Sequence, residues 1–249
     1  MKIATSSSSF ARAIAAGELT QLEWLDACAN ELEADAVVFD AAHFPRTDDE
    51  YLAQLKKLAV DLGLAVAAVS ADALFESDGE PWLDVAERLG APLAMGRAPR
   101  TAHDPSAWGA FADSVKARSR DAKRRNVTLA LSNVPQTLCA SAADLRRVAK
   151  DVDSAWLRFA FDPLAAGAND DGARLLGKSV IVRAEIPELA TFATPDDRVA
   201  SELVRHVARF RGCVLVEGTA GLDEPRDVFH DAFRRFADLR ARALATASA

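Results

Sequence analysis

Short β-rich apolar runs, each followed by a stretch with helical spacing, recur eight times along the 249 residues. The runs fall at 2–5, 36–40, 65–70, 92–96, 127–131, 156–162, 179–184 and 213–217. The helical stretches fall at about 21–32, 48–62, 82–89, 105–125, 142–150, 170–176, 195–210 and 225–244. Each helical stretch carries its own evidence. Leu22, Leu25, Cys28 and Leu32 recur at intervals of three and four, as do Leu52, Leu55, Leu58 and Leu62, so each set forms one stripe that must be buried. Thr20, Thr47, Asp104, Ser141 and Thr194 stand where an N-cap oxygen is wanted. Ser141 with Asp144 reads as a capping box. Pro105, Pro195 and Pro225 suit a first helical turn, and Gly63 and Gly90 suit left-handed helix ends.

Strand then helix, repeated, favours a parallel sheet with helices outside it. Eight such units closing on themselves make a (β/α)8 TIM barrel, which takes roughly 250 residues. An open doubly wound sheet would carry a Gly-rich phosphate turn after its first strand. Here that turn is Thr5-Ser6-Ser7-Ser8-Ser9, without glycine. No Pro/Gly-rich linker or composition break divides the chain, so residues 1–249 read as a single barrel domain.

Composition narrows the partners. A net charge of −7 argues against nucleic acid or an anionic membrane as the main partner. Three distant cysteines, Cys28, Cys139 and Cys213, form neither a disulfide framework nor a zinc motif and suit a reducing compartment. The first ten residues hold no uninterrupted apolar core of a signal peptide, and no run of about 18 apolar residues occurs. A cytoplasmic protein with a small-molecule ligand is the expectation, and a homodimer is common enough in such barrels to expect.

The site of such a barrel lies at the carboxyl ends of its strands. Those ends offer Ser6–Ser9, Asp40 with His43, Ser70 with Asp72, Arg97, Ser132 with Asn133, Asp162, Arg183 with Glu185, and Glu217. Alternation points Ser132, Asp162 and Glu217 inward, away from the bulky apolar faces of their strands. The end of the seventh strand is ambiguous. Clustered carboxylates and guanidiniums at strand ends are costly unless paired or bound. They suit either a substrate or metal site, or an Arg–carboxylate cluster closing the barrel top. The four serines lack a Gly-x-Ser-x-Gly elbow. They could donate hydrogen bonds to a ligand. Trp82 and Trp108 could wall a sugar ring, with packing the better reading. The basic run from Lys116 to Arg125 also holds Asp121 and reads as a solvated helix face.

The alternation, the segment Ala34-Asp35-Ala36-Val37-Val38-Phe39-Asp40 with His43-Phe44-Pro45, and the Asp61–Leu64 stretch together resemble the xylose isomerase-like TIM barrels, which include the sugar phosphate isomerases and epimerases. The resemblance implies a divalent cation, Mn²⁺, Mg²⁺ or Co²⁺, held by a Glu ending the fifth strand, an Asp ending the sixth, a His at the seventh and a Glu ending the eighth. Carried over by position, the first ligand is replaced by Ser132, followed by a retained Asn133. The second is Asp162, the third is missing near Val182 and Arg183, and the fourth is Glu217. Two carboxylates hold a cation poorly without further donors, and Glu185 would be the third. The competing expectation is that Arg183, with Arg97, supplies the positive charge the cation would have supplied.

Two functions follow. One is a divergent sugar isomerase or epimerase with Asp162, Glu217 and Glu185 as acid–base or metal-binding groups. In it His43, Arg97, Asn133 and Arg183 contact the substrate. The other is a non-catalytic or metal-independent barrel that binds a small anionic or carbohydrate ligand. The DNA-repair branch of the resemblance needs many histidines, and this chain has four.

Overall fold

The computed structural model describes residues 2–100, 105–162, 165, 175, 177–186, 210, 212–218, 233–234, 237–238 and 241. Eight parallel strands close in sequence order into a barrel: β1 Lys2–Ser6, β2 Ala36–Asp40, β3 Ala65–Ser70, β4 Leu93–Arg97, β5 Thr128–Ser132, β6 Leu157–Phe161, β7 Ser179–Ile186 and β8 Cys213–Gly218. Closure is made by β1 on β8, with Ala4 opposite Leu215. The register slips between Val37 and Val38 and again between Phe159 and Ala160.

Alternation along the strands sorts side chains into two cores. Ala4, Ala36, Val38, Ala68, Met95, Ala130, Ala160, Ile181, Cys213 and Leu215 fill the barrel. Half of these ten are alanine, which fits the narrow interior of an eight-stranded barrel. Val37, Phe39, Leu129, Leu131, Phe159, Phe161, Val214 and Val216 face the helices. The inward parity read from sequence for β5, β6 and β8 holds. Ile181 in the interior and Val182 in the outer layer settle β7 as well.

The described helices are α1 Ala11–Ala15, α2 Gln21–Asn30, α3 Asp49–Asp61, α4 Glu80–Leu89, α5 Pro105–Arg125 and α6 Ala142–Val152. Capping explains their starts. Thr20 and Glu23 make a reciprocal capping box on α2, and Ser141 and Asp144 make another on α6. The cap of α3 is Asp48, one residue beyond the expected Thr47, because its Oδ1 accepts from Tyr51 N at 3.0 Å. Gly63 and Gly90 have φ of +74° and +76°, the left-handed conformation that ends α3 and α4. Three short 3₁₀ turns, Ser7–Phe10, Ala41–His43 and Asp72–Phe75, follow β1, β2 and β3. The expected helices at 170–176, 195–210 and 225–244 lie almost wholly outside the described residues.

Trp82 packs against Phe44 with ring centroids 6.0 Å apart. Trp108 donates Nε1–H to Asp151 at 2.8 Å and lies under the Arg147 guanidinium. Both are packing residues. The basic run on α5 pairs off locally: Arg118 and Arg124 with Asp121, Arg125 with Glu80 and Glu87. Burial raises the Cys139 thiol and pushes Cys213 up to about 12, so neither is a thiolate near neutral pH. Among the described residues no helix is long and apolar enough to cross a membrane.

Candidate functional site

The serine loop after β1 forms one wall of the barrel mouth, and its hydroxyls bond to the protein. Ser7 Oγ accepts from Asp40 N at 2.9 Å and lies 3.0 Å from His43 Nδ1. Ser9 Oγ accepts from Gly218 N at 3.2 Å. Ser8 Oγ lies 2.9 Å from Ser6 Oγ and 3.2 Å from Glu217 Oε1. The run thus ties β1 to β2 and β8, a structural use of hydroxyls that sequence could not separate from ligand binding. Ser8 alone of the four borders the cavity described below.

Glu217, at the end of β8, has partners on both of its oxygens. Arg183 on β7 donates Nε–H and Nη2–H to its Oε2 at 2.9 and 2.8 Å. The two side chains are 12% and 8% exposed. Inward parity at β7 brings Arg183 to this position, beside the strand that carries Glu217. Glu185 stands opposite Glu217 in the β7–β8 register. Its side chain lies outside the described set.

Asn133 and Asp162 meet, but through the backbone. Asn133 Nδ2 donates to Asp162 O at 2.8 Å, and Asp162 N donates to Asn133 Oδ1 at 2.7 Å. The amide thus acts as an added rung between the ends of β5 and β6. Both residues are 1% exposed. Asp162 Oδ1 accepts from Ala165 N at 3.1 Å, fixing the turn that follows. Neither residue borders the cavity. The sequence reading placed Asn133 on substrate hydroxyls and Asp162 at the chemistry. The described contacts place the Asn133 amide between the strands, against the backbone of Asp162, and put Asp162 Oδ1 on the turn that follows β6.

His43 is half-buried beside Asp40, whose Oδ1 accepts from Ala42 N at 2.9 Å. Burial raises the Asp40 carboxyl above its ordinary value, and the Asp72 and Glu217 carboxylates add to this against the Ala42 bond and His43. Burial lowers His43, offset in part by Asp40. Across the mouth Arg97 on β4 pairs with Asp72, Nη2 to Oδ2 at 2.5 Å.

These strand ends enclose a cavity of about 290 Å³. Asp40, Asp72 and Glu217 supply its carboxyls, and Arg97, Arg100 and Arg183 its guanidiniums. Ser8, Ser70 and Ser132 add hydroxyls. Asp40 and Asp72 were visible at strand ends but lacked a reason for selection over their neighbours. Arg100 was missed, although Arg97-Ala98-Pro99-Arg100 at a strand end is a readable signal.

The donor chemistry can be tested against a cation. Ser132 replaces the carboxylate at β5. Arg183 directs a positive charge at the β8 acid, and both Glu217 oxygens have partners. Among the described residues no three His, Cys, Asp or Glu side chains group to hold a metal ion. Ser132, Arg183 and Glu217 by themselves do not make a cation site, and the Glu185 side chain lies outside the described residues.

A closed eight-stranded barrel with charged side chains at its strand ends defines the broad class, and solved structures share that fold. A D-psicose 3-epimerase from Clostridium cellulolyticum H10, solved with D-tagatose, superposes with a TM-score of 0.77 at 16% identity, covering 98% of this chain and 99% of that one. An L-ribulose 3-epimerase gives 0.77 at 18% identity, covering 99% and 97%. A 3-keto-D-glucoside 4-epimerase from E. coli gives 0.74 at 16%, covering 96% and 99%. The model of the xylose isomerase-like TIM barrel family matches residues 27–231, and the chain belongs to that family. Curated protein sequences give no match.

Proposed function

We propose that this chain is a metal-independent member of its family whose barrel mouth binds a small carbohydrate-type ligand. The observation that carries this is the Arg183–Glu217 pair. A guanidinium stands against the acid where the family pattern would place a cation, and Ser132 removes a further donor. A fixed charge of this kind needs no ion and orients the carboxylate. The cavity left above it is lined by hydroxyls and by carboxyl and guanidinium groups, which match the donors and acceptors of a polyol. The structurally similar sugar epimerases support the ligand class by fold analogy alone.

A second reading keeps sugar isomerase or epimerase turnover, without a cation. It rests on two cavity carboxyls in unlike settings. Asp40 is biased toward its protonated form by burial, while Glu217 is held by a guanidinium. Such a pair can give and take a proton.

Calorimetry of EDTA-treated protein with D-psicose, D-tagatose and L-ribulose tests the first reading. Saturable binding unchanged by added Mn²⁺ is expected. Binding that appears only with metal contradicts it. Incorporation of solvent deuterium at a carbon of the bound sugar, lost in Asp40→Asn, would establish the second.

A further inference from the structure

The cavity carries charges of both signs. Asp40 lines its β2 side, Glu217 contacts Arg183, and beside β4 two further guanidiniums, Arg97 and Arg100, face the one carboxylate of Asp72. Among the described residues the Arg97 side chain pairs with Asp72, whose side chain is 72% exposed. A rim pair of that kind contributes little and can be redirected to a ligand. Arg100 is exposed, borders the same cavity, and makes no ion pair among the described residues. Arg97 stands opposite Ser132 in the β4–β5 register, and Ser132 and Ser70 also border the cavity. Two guanidiniums at one strand end, with hydroxyls beside them, recognise a planar or tetrahedral group of oxygens bearing negative charge.

We infer that the β4 side of the mouth, Arg97 and Arg100, is an oxyanion subsite, so that the ligand is a polyhydroxy compound carrying a carboxylate or phosphate. Its hydroxyls face Asp40 and Ser8, and its charged end faces the two arginines. This rests on the carbohydrate reading above and narrows it.

The test is calorimetry in EDTA with D-gluconate, D-glucose 6-phosphate, D-glucose, D-sorbitol and inorganic phosphate. The wild type is compared with Arg100→Gln and with Arg120→Gln, an exposed α5 control that is not part of the cavity lining. One of the two charged sugars is expected to bind at least tenfold tighter than its neutral counterpart. Which of them does so tells carboxylate from phosphate. Arg100→Gln is expected to abolish the preference by weakening the charged sugar at least tenfold more than the neutral one, and Arg120→Gln to leave the preference intact. Equal affinity for charged and neutral sugars overturns the subsite while the carbohydrate reading stands, as does a preference that survives Arg100→Gln. If no sugar binds, the carbohydrate reading falls and inorganic phosphate decides the subsite. Saturable phosphate binding lost in Arg100→Gln upholds it, and its absence overturns it.

Discussion

Removing the carboxylate of Glu217 would take from the buried Arg183 guanidinium the acid that its Nε and Nη2 now contact. Breaking a buried pair from one side costs about 3–5 kcal/mol, whereas replacing both partners by neutral groups of similar shape is near neutral. Glu217→Gln is therefore expected to lower the melting temperature by roughly 6–20 °C, at roughly 2–4 °C per kcal/mol in a chain of this size. Arg183→Met combined with Glu217→Gln is expected to recover most of the loss. A Glu217→Gln variant as stable as the wild type would contradict the pairing. A pH series reads the other side of the mouth. His43 is lowered from 6.5 by burial, so its contribution is intact above that value and is lost as pH falls through the lowered one. Asp40 is raised from 3.8, so its contribution is intact below that value and is lost as pH rises through the raised one. Asp40→Asn is expected to raise the melting temperature at neutral pH and to lose that advantage near pH 3.8 and below. The inward acids were legible in sequence because alternation fixes which face a strand residue takes. The spending of Asn133 on Asp162 was not, because an amide shows no sign of which neighbouring backbone it will bridge.

Elements were legible where local chemistry sets them. The Ser141–Asp144 capping box, the Thr20 cap and the left-handed Gly63 and Gly90 belong to this class, and the strand ranges shift by at most two residues at an end. Ser141→Ala is expected to cost about 1 kcal/mol, seen as a lowered urea midpoint with an unchanged slope. The 3₁₀ turns after β1, β2 and β3 were not legible. They are held by contacts across strands, such as Ser7 to Asp40 and Ser9 to Gly218. Gly96 shows how tightly one turn approaches the barrel. A Cβ there would lie 2.7 Å from Leu74 Cβ and 2.9 Å from Ala71 O. Gly96→Ala is expected to destabilise by about 1–3 kcal/mol through overpacking. A variant with unchanged stability would mean that β4 and the Asp72–Phe75 turn part freely.

At the scale of the whole molecule, eight repeats with no glycine-rich first turn left a closed barrel as the consistent solution, and the strand order realises it. The same scale carries the central claim, that a resident guanidinium stands in this mouth in place of a cation. A thermal melt of EDTA-stripped protein titrated with Mn²⁺, Mg²⁺ and Co²⁺ tests it most directly. An ion bound only by the native state adds about 2.7 kcal/mol at a hundredfold excess over its dissociation constant. At roughly 2–4 °C per kcal/mol, that is a shift of roughly 5–10 °C. A flat response to millimolar metal is the result expected here. A saturable rise that Asp162→Asn abolishes would contradict the account, and would mean that Asp162, Glu185 and Glu217 hold a cation despite Arg183.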